Sequence, residues 1–257
     1  MGVNMAERVT TGIPGLDEML HGGFLPGSSV LVGGAPGTGK TTLALQFLHH
    51  GAQQGEAGLW ISFEEFPQSI FRDAQSLGWD LRDLERRGRL HMLFTSPEVF
   101  LKSLETPDSP LLRTMLDADI RRVALDSITH FTRLSDDPHE LRRIYTEVVN
   151  GLRREGVTSV LLSEESRTGL WQTQRGRLLY IVDTVILLRY VEIESAMQRA
   201  IVVLKMRGSD HAKDIRRYEI RAGGIVVNGA FENQEGILSG VPHRIPGSGR
   251  WAVTRRR

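Results

Sequence analysis

Gly34-Ala35-Pro36-Gly37-Thr38-Gly39-Lys40-Thr41 satisfies the pattern G-x-x-x-x-G-K-[ST] at every fixed position. The residue types follow from the chemistry of an anion cradle. Backbone N–H groups can wrap a polyphosphate only where no side chain intervenes, and a helix that opens at Lys40 aims its positive end at the same anion. Lys40 is long enough to reach the outer phosphates, and the Thr41 hydroxyl is placed for Mg²⁺. Average residue usage yields such a match by chance in roughly one chain in a hundred. The flanks reduce that further: Ser29 to Val32 is a short apolar run ending in Gly33-Gly34, and Leu43 to Leu48 reads as a helix that stops at Gly51. The expected nucleotide-contacting set is therefore Gly34, Ala35, Pro36, Gly37, Thr38, Gly39, Lys40, Thr41 and Thr42.

Further along the chain, apolar runs recur at Leu59 to Phe63, Leu90 to Phe94, Val123 to Leu125 and Val157 to Leu162. Helical spacing or turn residues separate them; Pro138 to Arg154 carries Leu141, Ile144, Val148 and Leu152 at steps of three and four. Alternating strands and helices predict an α/β fold with a mostly parallel sheet covered on both faces. After Ser166 the pattern changes. Ile181 to Val191, Ala200 to Lys205 and Tyr218 to Val227 read as C-terminal antiparallel strands extending that sheet. No Pro/Ser-rich linker or internal repeat divides the chain, so residues 1–257 read as one domain, with an ordered core at about 8–244 and a short tail at about 245–257.

Composition limits the function classes. The 257 residues carry 32 Lys+Arg against 31 Asp+Glu, a net charge of +1, which excludes a polyanion-binding coat over the whole surface. Cysteine is absent, removing disulfide scaffolds, thiolate nucleophiles and Cys-based zinc sites together. The N-terminus shows no export or lipid signal, and the most apolar stretch, Tyr180 to Tyr190, contains Asp183 and Arg189 and is too short to span a bilayer. A cytoplasmic protein without membrane association is expected. Glycine, at 27, exceeds the roughly 18 that average usage would give.

A phosphate loop needs an acid to hold the metal, and Val123-Ala124-Leu125-Asp126 offers one at a strand end; its position there favours the metal role over the other reading of Asp126, a cap on a following helix. Glu64-Glu65 closes the strand next after the loop's helix, beside the crevice of an open sheet, where one carboxylate could act as base. The same pair could simply complement the dipole of a helix opening at Pro67. Lys205-Met206-Arg207 places two cations on one strand face, followed by His211, and these three could neutralise developing phosphate charge. By residue pattern alone a solvated strand face with a lone surface His is the favoured reading of them.

Together these blocks resemble the KaiC family of ATPases within the RecA superfamily. Arg8-Val9-Thr10-Thr11-Gly12-Ile13-Pro14-Gly15-Leu16-Asp17, Gly22-Gly23-Phe24, Gln46-Phe47-Leu48, Ser76 to Leu81, Tyr190-Val191-Glu192-Ile193, Lys205 to Ser209 and Gly236 to Gly240 are all family-like. The resemblance covers about residues 8–244. It implies a RecA-like P-loop NTPase core that binds ATP and Mg²⁺ in a homo-oligomeric ring, usually a hexamer, with ATP between subunits. It implies catalytic roles for Glu64 and Glu65, with Thr41 and Asp126 on the metal. It further implies that Lys205, Arg207 and His211 reach the neighbour's γ-phosphate, with Lys213 near the nucleotide.

The departures narrow the expected role. The family's clock member has two such domains in tandem and this chain has one. Where that member's second domain presents neighbouring Ser and Thr for autophosphorylation, this sequence reads Leu179-Tyr180. The expected function is a nucleotide-dependent conformational switch in signalling or regulation, acting on unidentified protein partners, with residual kinase activity toward another Ser or Thr left open. The alternative is a DNA-handling motor or recombination accessory, for which Arg167, Trp171, Arg175 and Arg177 supply a basic loop at 166–178.

Overall fold

In this computed structural model the described residues are 7–164, 176–193, 195–231, 234–237 and 243–244. The phosphate loop follows β1 (Ser29–Gly34), whose six residues are all buried. β1 lies parallel to β5 (Thr158–Glu164) on one side and to β6 (Thr184–Ile193) on the other. With β2 (Ala57–Ser62), β3 (Leu90–Phe94) and β4 (Ile120–Asp126) the parallel set is complete, and β7 (Ala196–Met206), β8 (Arg216–Arg221) and β9 (Gly224–Ala230) continue the sheet antiparallel. The nine-stranded order is β3-β2-β4-β5-β1-β6-β7-β8-β9. This is the mostly parallel α/β sheet with C-terminal antiparallel strands that the sequence predicts.

The two-residue period of the strands builds two cores. Val30 and Val32 point to one face with Trp60, Ala124 and Val160, where α2 (Lys40–Gln53) packs through Leu43, Phe47 and Leu48. Leu31, Ile61, Val123 and Leu161 point to the other, against α5 (Pro97–Glu105), α6 (Pro110–Asp117) and α7 (Pro138–Arg154). Residues buried on both faces explain why these strands read as continuous apolar runs.

Three boundaries differ from the expectation. β6 belongs with the parallel set, because the short helix α8 (Gly176–Ile181) ends level with the start of β1 and sends the chain back in the same direction. Ile181 is accordingly helical. The run from Tyr218 to Val227 is two strands folded at Gly223 and Gly224, whose φ angles of 87° and 105° suit a tight reversal.

The third difference is Gly51, where α2 does not stop. The helix runs on to Gln53, and Gly51 is there for space: a Cβ would lie 2.4 Å from Cδ of Arg122. Arg122, 1% exposed, threads past this point from β4. Its Nε pairs with Glu56, and its Nη1 donates to the carbonyls of Thr10 (2.7 Å) and Phe47 (3.0 Å). Gly51→Ala improves helix propensity by about 1 kcal/mol yet is expected to destabilise the chain by about 1–3 kcal/mol, because the pinned arginine cannot move aside. A urea titration checks the sign; a stabilised variant would contradict this packing.

Candidate nucleotide site

Gly39, with φ 93°, caps the start of α2, and Gly37, with φ 78°, makes the preceding turn. Both conformations favour glycine, which is why the motif fixes Gly39. Lys40 is buried, its Nζ donating to the carbonyls of Gly34 (2.9 Å) and Ala35 (3.2 Å) across the loop. Thr38 closes the same turn through its hydroxyl on the Ala35 carbonyl at 2.8 Å. Pro36 and Gly37 form the exposed rim, and Thr42 sits half-buried in the first turn of α2.

Thr41 Oγ1 donates to Asp126 Oδ2 at 3.1 Å, so the loop and the end of β4 meet directly. Ser127, not Asp126, stands before the short 3₁₀ segment Ile128–Arg133, which lacks a side-chain cap. Burial holds the Asp126 carboxyl up, at about 6; Thr41 and Lys40 oppose the shift, while Glu65 and Glu164 add to it. A desolvated carboxylate beside a threonine hydroxyl, at the mouth of a glycine-built anion cradle, fits the donor set that Mg²⁺ takes with a bound phosphate.

Glu65 follows β2, its N–H donating to Ser62 Oγ at 3.0 Å. Glu64 is exposed and accepts from Arg133 Nη2 at 2.8 Å, with His130 Nδ1 at 3.4 Å. The pair therefore sits beside the segment that follows Asp126, and it also precedes the helix Pro67–Ser76. The buried His130 has its pKa lowered by desolvation, against the pull of Glu64. Glu164, at the end of β5, escaped the sequence reading although the apolar run ending in Ser163-Glu164 carries the same signal as that ending in Asp126.

Lys205 and Arg207 lie elsewhere. Met206 is level with Thr184, and Thr184 with Val30, so these cations stand at the amino end of β1 while the loop leaves its carboxyl end. Four residues of strand, about 13 Å, separate the two levels. Lys205 Nζ donates to the carbonyls of Leu179 (2.7 Å) and Val182 (2.6 Å), and Arg207 Nη2 to that of Tyr180 (3.2 Å). Both thus face the end of α8. Burial, then Arg207, lowers the Lys205 pKa, while Asp183 raises it. His211 and Lys213 form a separate group with Asp210, near α1 (Leu16–Met19), where the Ala212 N–H donates to Met19. The structure brings together Lys40, Thr41, Asp126 and Glu65, and does not bring any of the four distal residues to them.

Residues 165–175, which hold most of the expected basic loop, and the tail at 245–257 lie outside the described residues, and nothing is described of the Arg177 side chain. Among the described residues no helix is long and apolar enough to cross a membrane.

A family model described as "ATPase: KaiC" matches residues 9–232. The circadian clock oscillator protein KaiC of Thermostichus vulcanus is 39% identical over 239 residues, 93% of this chain and 46% of that protein. KaiC of Rippkaea orientalis is 36% identical over 239 residues, 93% of this chain and 45% of its own. The chain thus spans less than half the length of these clock proteins. The crystal structure of a KaiC-like protein from the hyperthermophilic archaeon Pyrococcus horikoshii OT3 aligns with TM-score 0.77 and 31% identity, covering 87% of this chain and all of that one.

The Asp126 shift has a sign that can be tested. Folding raises this carboxyl from 3.8 to about 6, so its contribution favours the folded chain below the lower value and is lost as pH rises through the upper one. Without nucleotide or metal, Asp126→Asn is expected to be more stable than the parent at pH 8, by on the order of 2 kcal/mol, and equal to it near pH 4. Urea denaturation at both pH values measures this; an identical difference at the two would contradict it.

Proposed function

The chain belongs to the KaiC ATPase family, and we propose that it hydrolyses ATP with Mg²⁺ at sites completed between subunits of a homo-oligomeric ring. One observation carries this reading: the residues implied in the reaction stand at opposite ends of the same strand. Lys40, Thr41, Asp126 and Glu65 lie at the carboxyl end of β1 and Lys205 and Arg207 at its amino end. A lysine or arginine side chain cannot cover that separation, so a second copy must supply the distal cations if they meet phosphate at all.

In this reading the loop from Gly34 to Thr42 holds the phosphates, with Lys40 as its internal cation. Thr41 and Asp126 would hold Mg²⁺, which when bound neutralises charge on the transferred phosphoryl group. Glu64 and Glu65 orient the attacking water and accept its proton. Lys205, Arg207 and His211 stabilise the γ-phosphate of the adjoining subunit, with Lys213 near its nucleotide. We read the ring as a hexamer and phosphoryl transfer as going to water, since Leu179 and Tyr180 occupy the positions of the family's phosphorylated hydroxyls. Nucleotide state then sets the conformation that protein partners meet.

Two experiments test the assignment. Glu64→Gln combined with Glu65→Gln is expected to retain ATP and lose hydrolysis by about 10²–10⁴-fold; normal turnover would place the base elsewhere. Arg207→Ala and Lys40→Ala proteins, each inactive alone, are expected to recover about a quarter of the parent rate when mixed equally, if subunits assort at random in a head-to-tail ring. No recovery, with mixed assemblies verified by native mass spectrometry, would refute the shared site.

A further inference from the structure

The phosphate loop is gripped from outside by two tyrosine hydroxyls, both from the C-terminal strands of the sheet. Tyr190, on β6, donates to the Gly37 carbonyl at 2.6 Å. Tyr218, on β8 and 2% exposed, donates to the carbonyl of Thr38. The Arg199 guanidinium lies 5.3 Å over the Tyr190 ring, and its Nη2 is 3.4 Å from the hydroxyl. The fit leaves little room: a Cβ on Gly37 would stand 3.0 Å from the Tyr190 oxygen, and one on Gly39 would stand 2.5 Å from Cδ1 of Ile220.

We propose that Tyr218 and Tyr190 are positioning residues for phosphate binding, fixing two consecutive peptide planes of the loop so that the Gly39 N–H is already aimed at the anion. The argument rests on the nucleotide reading above and on peptide geometry. In a planar trans peptide the carbonyl and the following N–H point to opposite sides. With the Thr38 carbonyl tied to Tyr218, the Gly39 N–H is turned away from β8. The preceding plane is engaged at both ends, its carbonyl by Tyr190 and the Thr38 N–H by the Ala35 carbonyl at 3.3 Å. Gly37 and Gly39 are the residues that lose most freedom when ordered, so restricting their neighbours beforehand lowers the entropy lost on binding.

Packing alone does not explain these side chains. Phenylalanine would fill the Tyr218 site equally well, and a buried hydroxyl costs free energy unless it is bonded. Burial also raises the Tyr218 pKa, so the phenol remains a donor across the physiological range.

Tyr218→Phe, Tyr190→Phe and the double variant of the full chain test the proposal, because each keeps the ring and removes only the hydroxyl. Calorimetric titration with ATP plus Mg²⁺ and with ADP, well below the melting temperature, is expected to show Tyr218→Phe weakening both nucleotides about tenfold and Tyr190→Phe about threefold. KM for ATP should rise in the same proportion with kcat unchanged, a split that lower global stability alone would not produce. Parent-like affinity in both single variants and in the double variant, whatever their melting temperatures, would overturn the clamp and leave the nucleotide reading standing. Failure of the unaltered chain to bind either nucleotide would overturn both.

Discussion

The direction of one buried strand governs the molecule. β1 has parallel partners on both sides, and a parallel ladder ties the carboxyl ends of its strands to one edge of the sheet. Asp126 and Glu164, which end β4 and β5, therefore emerge beside the loop that follows β1, with Glu65 just beyond β2. These acidic groups share a partly dry edge, and the strain of doing so is visible in Asp126, whose proton affinity rises by burial and by the two neighbouring carboxylates. A cation, were one held there as proposed, would relieve what the fold has imposed.

The antiparallel strands do the opposite. Having reached the loop's edge along β6, the chain reverses into β7 and carries Lys205 and Arg207 back to the far edge. It then returns through β8, which places Tyr218 and Ile220 behind the phosphate loop. One meander thus serves both ends of the sheet.

Much of this was legible in the residues. The loop motif, the run ending in Asp126 and the period of Pro138–Arg154 are local signals, and each element appears where local chemistry requires it. What could not be read depends on partners distant in sequence. Gly51 looked like a helix stop because local rules cannot know that Arg122 passes beside it. Tyr190, although part of a family-like block, and Tyr218 carried no mark of a contact with the loop, since a tyrosine in a strand reads as core until the carbonyl it meets is known. That β6 runs parallel followed from where α8 delivers the chain. The opposite placement of Lys205 and Asp126 was likewise invisible, because a motif records residue types and not the end of the sheet on which they stand.

Lys205 and Arg207 are not waiting cations. Three carbonyls, those of Leu179, Tyr180 and Val182, already accept their protons at the end of α8, where a helix terminus is electronegative. In the shared site proposed above, an incoming anion would therefore compete with the protein's own backbone, and its capture would be an exchange of acceptors. Only the difference between the two sets of bonds is available as net affinity, which biases these side chains toward multiply charged ligands. Whatever draws them off also leaves the last carbonyls of α8 without their donors.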